Sequence, residues 1–196
     1  MLRIVKYPHP ALRYESRPVT EIDDRLRRNV RAMFELMYES KGIGLAANQV
    51  AIPLKFFVLN LTADPEQKDQ EQVFINPEIV KRHSTDGAEE GCLSFPGLYA
   101  KVKRPRKVRV RAYDLTGNEV TVDADELLAR ALQHETDHLN GRLFVDLLDP
   151  TLLAGVNGKI VDIEKAFREE QARGEYPDDD EIRRMLDAWP ELGPSA

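Results

Sequence analysis

The pentad His134-Glu135-Thr136-Asp137-His138 constrains the fold more than any other stretch of the chain. On a helix, four residues advance about 400° and ~6 Å, so both imidazoles leave one face, one turn apart. That spacing suits two ligands of one metal ion. Glu135 is turned about 100° from His134 and can stand beside such an ion without binding it, where it can take a proton from activated water. The flanking residues agree with a helix: Asp123 or Asp125 offers a cap, Leu127, Leu128, Ala131 and Leu132 are apolar, and Gly141 is a stop. A helix is therefore predicted over about 125–140. Taken alone, two unrelated histidines on a wet helix face would give the same pattern.

That helix needs a core around it, and disulfides cannot help, because the chain of 196 residues has one cysteine. A chain of this length buries roughly 70% of its unfolded surface, enough for a single domain. Hydrophobic residues make up 42% and charged residues 32%, which argues against global disorder. The net charge of −6 disfavours a general nucleic-acid binder and gives no reason to expect specific DNA binding. The opening MLRIVKYPHPALR breaks on prolines and charges, so no secretory signal is expected, and no apolar run is long enough for a membrane span. The expected compartment is the reducing cytoplasm.

Around the central helix, the first 18 residues read as an extended arm broken by Pro8, Pro10 and Pro18. Ile22, Leu26, Val30, Met33, Phe34 and Met37 form one apolar stripe, predicting a helix over about 21–40 with Thr20 as its cap. Short β-like runs follow at 56–59, 73–75 and 79–83. A hairpin is predicted over 107–122, where Val108 and Val110 alternate with Arg109 and Arg111 and Gly117 sits in the turn. Short helices are expected at 159–172 and 179–188. Residues 151–196 carry 6 basic and 11 acidic side chains, against 22 and 23 in residues 1–150, so the tail holds most of the negative charge. Its densest part, Asp178 to Glu181, reads as a solvated face or a helix N-terminus.

Two imidazoles do not complete a metal site. No histidine follows His138, and the downstream glutamates lie past Pro150 in a charged segment. Upstream, Cys92 lies in EEGCLS, a small-residue turn between predicted strands. A lone cysteine is most often a small core residue. As a thiolate it would give Cys-His-His, which leaves a fourth position open for water. Gly42-Ile43-Gly44-Leu45-Ala46-Ala47-Asn48-Gln49 adds small residues that let a peptide approach the backbone and ends on an amide donor.

At these three places together the sequence resembles the peptide deformylase family, which carries GxGLAAxQ, EGCLS and QHExDHLxG in that order. Here they stand as GIGLAANQ (42–49), EGCLS (90–94) and QHETDHLNG (133–141). The resemblance covers roughly residues 1–150. It implies an α+β fold: small antiparallel or mixed sheets around the central HExxH helix, with an N-terminal helix and short C-terminal helices. Residues 1–150 would be the catalytic domain and 151–196 a helical acidic extension of it. It also implies that Cys92, His134 and His138 bind one divalent metal ion, Fe(II) favoured and Zn(II) compatible. Glu135 would be the general acid/base. Gln49 and the Leu93 N–H would stabilise the oxyanion, and Gly44 would line the substrate. The implied substrate is the N-formyl-methionyl end of nascent polypeptides, and the implied product is formate.

Ile43, Leu127, Arg130 and Ala131 are expected to line the methionine pocket, the last three because they share the face of His134. Arg130 departs from the apolar pattern, so its head must reach water or pair with an acid, with Glu90 the nearest candidate. Lys101 to Arg111 holds seven basic residues in eleven. It reads as a strand with one wet cationic face, or as a patch making a transient ribosome contact. Residues beyond about Asp178 carry no motif residue and are expected to be dispensable for chemistry. Two competing functions remain at this point: an HExxH peptidase, which would need a downstream third ligand, and a metal-stapled interaction module, which would need neither Glu135 nor Gln49.

Overall fold

The computed structural model describes residues 2–189; the last seven residues of the predicted 151–196 extension lie outside that range. Two antiparallel sheets and four helices make up the α+β architecture. The larger sheet runs β1 (Gly44–Ala46), β2 (Phe56–Leu59), β3 (Gln72–His83), β6 (Lys107–Tyr113) and β7 (Glu119–Asp125), in that spatial order. The smaller is a hairpin of β4 (Asp86–Cys92) and β5 (Phe95–Arg104). The helices are α1 (Asp24–Glu39), α2 (Glu126–Leu139), α3 (Pro150–Ala172) and α4 (Asp179–Asp187).

β2 reads Phe-Phe-Val-Leu and is buried on both faces, as an unbroken apolar run in a sheet centre should be. Phe56 and Val58 pack on the α1 stripe of Leu26, Val30, Met33, Phe34 and Met37. Phe57 and Leu59 face the other way, toward Ala129, Leu132 and Leu139 of α2. Each buried aromatic or aliphatic side chain contributes about 1.5–3 kcal/mol. The sheet is therefore clamped between two helices, and α2 sits in the middle of the molecule. Gly141 ends α2 in the left-handed region (φ +67°), and a Cβ there would lie 2.6 Å from the Arg13 carbonyl oxygen.

Several predicted boundaries move. α1 starts at Asp24, capped by Asp23 rather than Thr20: the Asp23 carboxylate accepts from the Leu26 N–H at 2.7 Å. A charged acceptor one turn ahead of the apolar stripe is the better cap, and Ile22 packs from outside the helix. The runs at 73–75 and 79–83 are one strand, β3, interrupted by a register shift at Asn76, which takes φ 51° while its amide brackets Val19. α3 begins at Pro150, not 159, because Asp149 accepts from the N–H groups of Thr151 and Leu152 and proline suits a first turn. Asp178 caps α4, with Asp179, Asp180 and Glu181 in its first turn.

The basic segment is divided rather than pooled. β5 ends at Arg104 and β6 starts at Lys107. Arg104 is buried against Glu90 and Asp137, while Arg106, Arg109 and Arg111 pair with Glu126, Asp123 and Glu78. The tail is packed as well. Ile182 and Leu186 of α4 and Phe167 of α3 share a core with Leu12 of the N-terminal arm and Phe95 of β5. Among the described residues no helix is long and apolar enough to cross a membrane.

Ending the chain at Asp178 would strip Ile182 and Leu186 from that core. The free energy of unfolding should fall by roughly 3–6 kcal/mol, read from denaturant midpoints. Formate release by the folded protein, the activity the resemblance implies, should stay within a few-fold. A collapse of kcat/KM in a truncated protein that still folds would place α4 in the chemistry.

Candidate active site

α2 delivers three of the functional side chains. Its apolar face meets the sheet, so the pentad is carried into the interior: His134, Glu135 and His138 are all buried. The fourth comes from β4. Cys92 is the last residue of that strand and pairs with Phe95, leaving Leu93 and Ser94 as a two-residue turn. This sets Cys92 Sγ 3.2 Å from His138 Nε2. One ligand atom from each of Cys92, His134 and His138 lies within 4.8 Å of the others. Ligands about 2.0–2.3 Å from a single ion have separations of this order, and a thiolate with two imidazoles is a donor set that Zn(II) and Fe(II) both accept.

The electrostatics also favour a cation. Glu90 on β4 is buried, yet its carboxylate is held down at about 2: burial pushes it up, and the hydrogen bonds from His134 and Arg104 outweigh that. Arg104 grips it at 2.6 and 3.0 Å and reaches Asp137 at 2.6 Å. Glu90 Oε2 meets His134 Nδ1 at 3.1 Å, which leaves Nε2 for the cluster. Burial lowers His134, but contacts with Cys92 and Glu90 raise it to about 10. His138 goes the other way, lowered by burial and by the positive charge on His134. The ionised Glu90 carboxylate thus stands one hydrogen bond behind the His134 ring, where its negative charge favours a cation at the cluster.

Glu135 stands apart from the ligand cluster. Among the described residues its Oε2 is buried without a hydrogen-bond partner, and burial raises its carboxyl to about 7 against the pull of His134 and Arg104. It faces β1, and a Cβ on Gly44 would lie 2.5 Å from Glu135 Oε1 and 3.0 Å from Cδ, so a side chain there would push the Glu135 carboxyl out of its place. Gln49 lies in the 3-10 turn Ala47–Val50 that follows β1. Its Oε1 accepts from Ala46 N–H at 2.9 Å, which aims Nε2 at Ser94 Oγ (3.2 Å) and Cys92 Sγ (3.5 Å). A cleft of about 590 Å³ opens over these groups, lined by Ile43, Gly44, Gln49, Leu93, Leu127, Arg130 and Ala131 among others.

Ten of the eleven residues predicted for the site line this cleft; the eleventh, His138, joins them through Cys92 Sγ at 3.2 Å. Arg130 donates to Glu90 Oε1 at 2.6 Å and to the Val102 carbonyl at 3.0 Å, so its head is turned into the wall. Leu127 is half exposed, at the mouth. Sequence reasoning missed Arg104 and Asp137, which fix Glu90 and through it His134. The alternation Val102-in, Lys103-out, Arg104-in along β5 was the available signal. It also missed Lys6, which lines the cleft from the N-terminal arm.

A buried Cys-His-His cluster beside a carboxylate with one free oxygen and an amide donor is the arrangement of a metal-dependent hydrolase. The family model of polypeptide deformylase matches residues 1–152. A peptide deformylase of Rhodopirellula baltica is 40% identical over 188 residues, 96% of this chain and 93% of that protein. Peptide deformylase 1 of Shewanella oneidensis is 44% identical over 170 residues, 87% of this chain and 98% of that one. A plant peptide deformylase superposes with a TM-score of 0.84 at 39% identity, covering 87% of this chain and 93% of its own. That of Plasmodium falciparum gives 0.82 at 43%, covering 87% and 98%. The chain belongs to the polypeptide deformylase family, and its activity is removal of the N-terminal formyl group from nascent peptides.

Proposed function

We propose that Cys92, His134 and His138 hold one divalent ion, that Glu135 moves the proton, and that Gln49 Nε2 and the Leu93 N–H bind the formyl oxygen as it becomes an oxyanion. The observation that carries this reading is Glu135: a buried carboxylate with a free oxygen beside the ligand cluster but outside it. When bound, the ion supplies Lewis acidity, acidifying water and polarising the carbonyl. The donors suit both Fe(II) and Zn(II), and the family resemblance favours Fe(II).

Glu135 Oε2 takes a proton from the attacking water and passes it to the amine that leaves. A carboxyl near 7 can be deprotonated for the first step and reprotonated for the second. Two fixed donors on the oxyanion contribute where charge develops, and loss of one such donor costs about 3–4 kcal/mol. β1 is the edge strand of the larger sheet, so the backbone at Gly44 is free to pair with an extended substrate. Ile43, Leu127 and Ala131, with the Arg130 stem, form the wall for the first side chain. The substrate is the N-formyl-methionyl end of a nascent polypeptide, so the place of action is the cytoplasm. Four of the seven cations at 101–111, Arg104, Arg106, Arg109 and Arg111, are paired, so a transient ribosome contact there would draw on the exposed Lys101, Lys103 and Lys107.

Three measurements test these assignments. Glu135→Gln should retain one metal equivalent and lose nearly all formate release from formyl-Met-Ala-Ser; a metal-free variant would make Glu135 a ligand. Cys92 should resist alkylation in the holoenzyme and react once the metal is chelated, and equal rates in both states would remove it from the site. Arg130→Ile should leave formyl-Met turnover within a few-fold, because Glu90 keeps Arg104. The same variant should abolish any preference for glutamate over lysine as the first residue. An unchanged ranking of charged first residues would show that the Arg130 head has no influence on the pocket.

A further inference from the structure

The N-terminal arm crosses directly behind the two groups assigned to the oxyanion. Val5 N–H donates to the Gln49 carbonyl at 2.8 Å, and Tyr7 N–H donates to the Ser94 carbonyl at 3.0 Å. Between them, Lys6 Nζ donates to the Leu93 carbonyl at 2.8 Å. Gln49 Nε2 and Ser94 Oγ complete the link at 3.2 Å. Three consecutive arm residues therefore join the Gln49 turn to the Leu93-Ser94 turn. Two of the three bonds are made by main-chain N–H groups and survive any side-chain change. The bond from Lys6 is the one the side chain decides.

From this geometry we infer that Lys6 is a positioning residue for deformylation: its ammonium pins the Leu93 carbonyl, which holds the Leu93–Ser94 peptide plane and, across one Cα, restricts the neighbouring Cys92–Leu93 plane that carries the proposed oxyanion donor, the Leu93 N–H. The inference rests on the oxyanion role of Leu93 proposed above. A two-residue turn has few ways to hold its peptide planes, and Leu93 follows directly on Cys92. The Leu93 N–H turns with the Cys92–Leu93 peptide plane, so a tilt of that plane within the turn moves the donor, and a held Leu93–Ser94 plane resists the tilt. Lys6 is half-buried and lines the same cleft as Gln49 and Leu93. Alignment of the donor matters most where negative charge develops on the formyl oxygen and little toward the neutral formyl group. Its loss therefore falls on kcat rather than KM.

The test compares Lys6→Met and Lys6→Arg with the wild-type holoenzyme on formyl-Met-Ala-Ser, with metal content and thermal midpoint recorded for each. Lys6→Met keeps the length of the side chain and removes the donor. It should lower kcat by roughly tenfold or more, with KM within about twofold and the metal equivalent unchanged, since misplaced groups in such sites cost up to ~100-fold. Lys6→Arg keeps a cation and a donor and should recover most of kcat. An unchanged kcat in Lys6→Met, a rise in KM alone, a parallel loss of metal, or failure of Lys6→Arg to rescue would each overturn the assignment. A wild-type protein that releases no formate would instead overturn the deformylase reading, so the two failures are distinguishable.

Discussion

The buried carboxylate of Glu90 is the constraint on which the site depends. It belongs to the β4–β5 hairpin, while His134 belongs to α2 and Arg104 closes the loop from β5. A carboxylate this deep stays ionised only if cations and donors replace its water. Arg104 and Arg130 supply both, and the His134 ring completes the set. The same contacts dock the hairpin on α2, orient the His134 ring and bring Cys92, two residues further along β4, to the imidazoles. Arg104 also reaches Asp137, one helical turn past His134 on the ligand helix. A single ionic knot thus sets strand, helix and ligand together.

The grouping of His134, Glu135 and His138 was legible because their spacing fixes their geometry, which helix periodicity alone supplies. The small residues around Gly44 were readable as a place of close approach, but not that Glu135 is what approaches it. Elements made by local signals were also readable: the α1 stripe, the Val108/Val110 alternation and the apolar β2. What escaped depended on partners distant in sequence. Arg104 looked like one cation in a basic run: strand alternation can turn it inward, but nothing local names Glu90, fourteen residues away, as its partner. The β4–β5 hairpin was hard to see because β4 is Asp-Gly-Ala-Glu-Glu-Gly-Cys, with little β propensity. Its pairing is imposed by β5 and by the ionic knot.

The N-terminal arm shows the same limit. Its prolines announce an irregular, extended segment, but not what the segment crosses. In the structure it holds Gln49 on one side and the Leu93-Ser94 turn on the other. Those are the two donors assigned to the oxyanion, and they come from elements more than forty residues apart. Alignment of such groups to a fraction of an ångström needs a rigid backing. The arm provides it, and is itself pressed down by α3 and α4 through Leu12, Phe167 and Ile182.

That layering places the acidic tail against the arm, and the same dependence of one element on another bears on how the centre forms. Two of the assigned ligands sit on one helix and are in place once α2 folds. The third arrives only when the β4–β5 hairpin docks. An ion bridging Cys92 to His134 and His138 would therefore bind the docked state and stabilise it by the same free energy. Until it does, the contacts of Glu90 with His134, Arg104 and Arg130 hold the hairpin on α2. An ion would therefore enter a site already shaped, and little reorganisation would be asked of the protein.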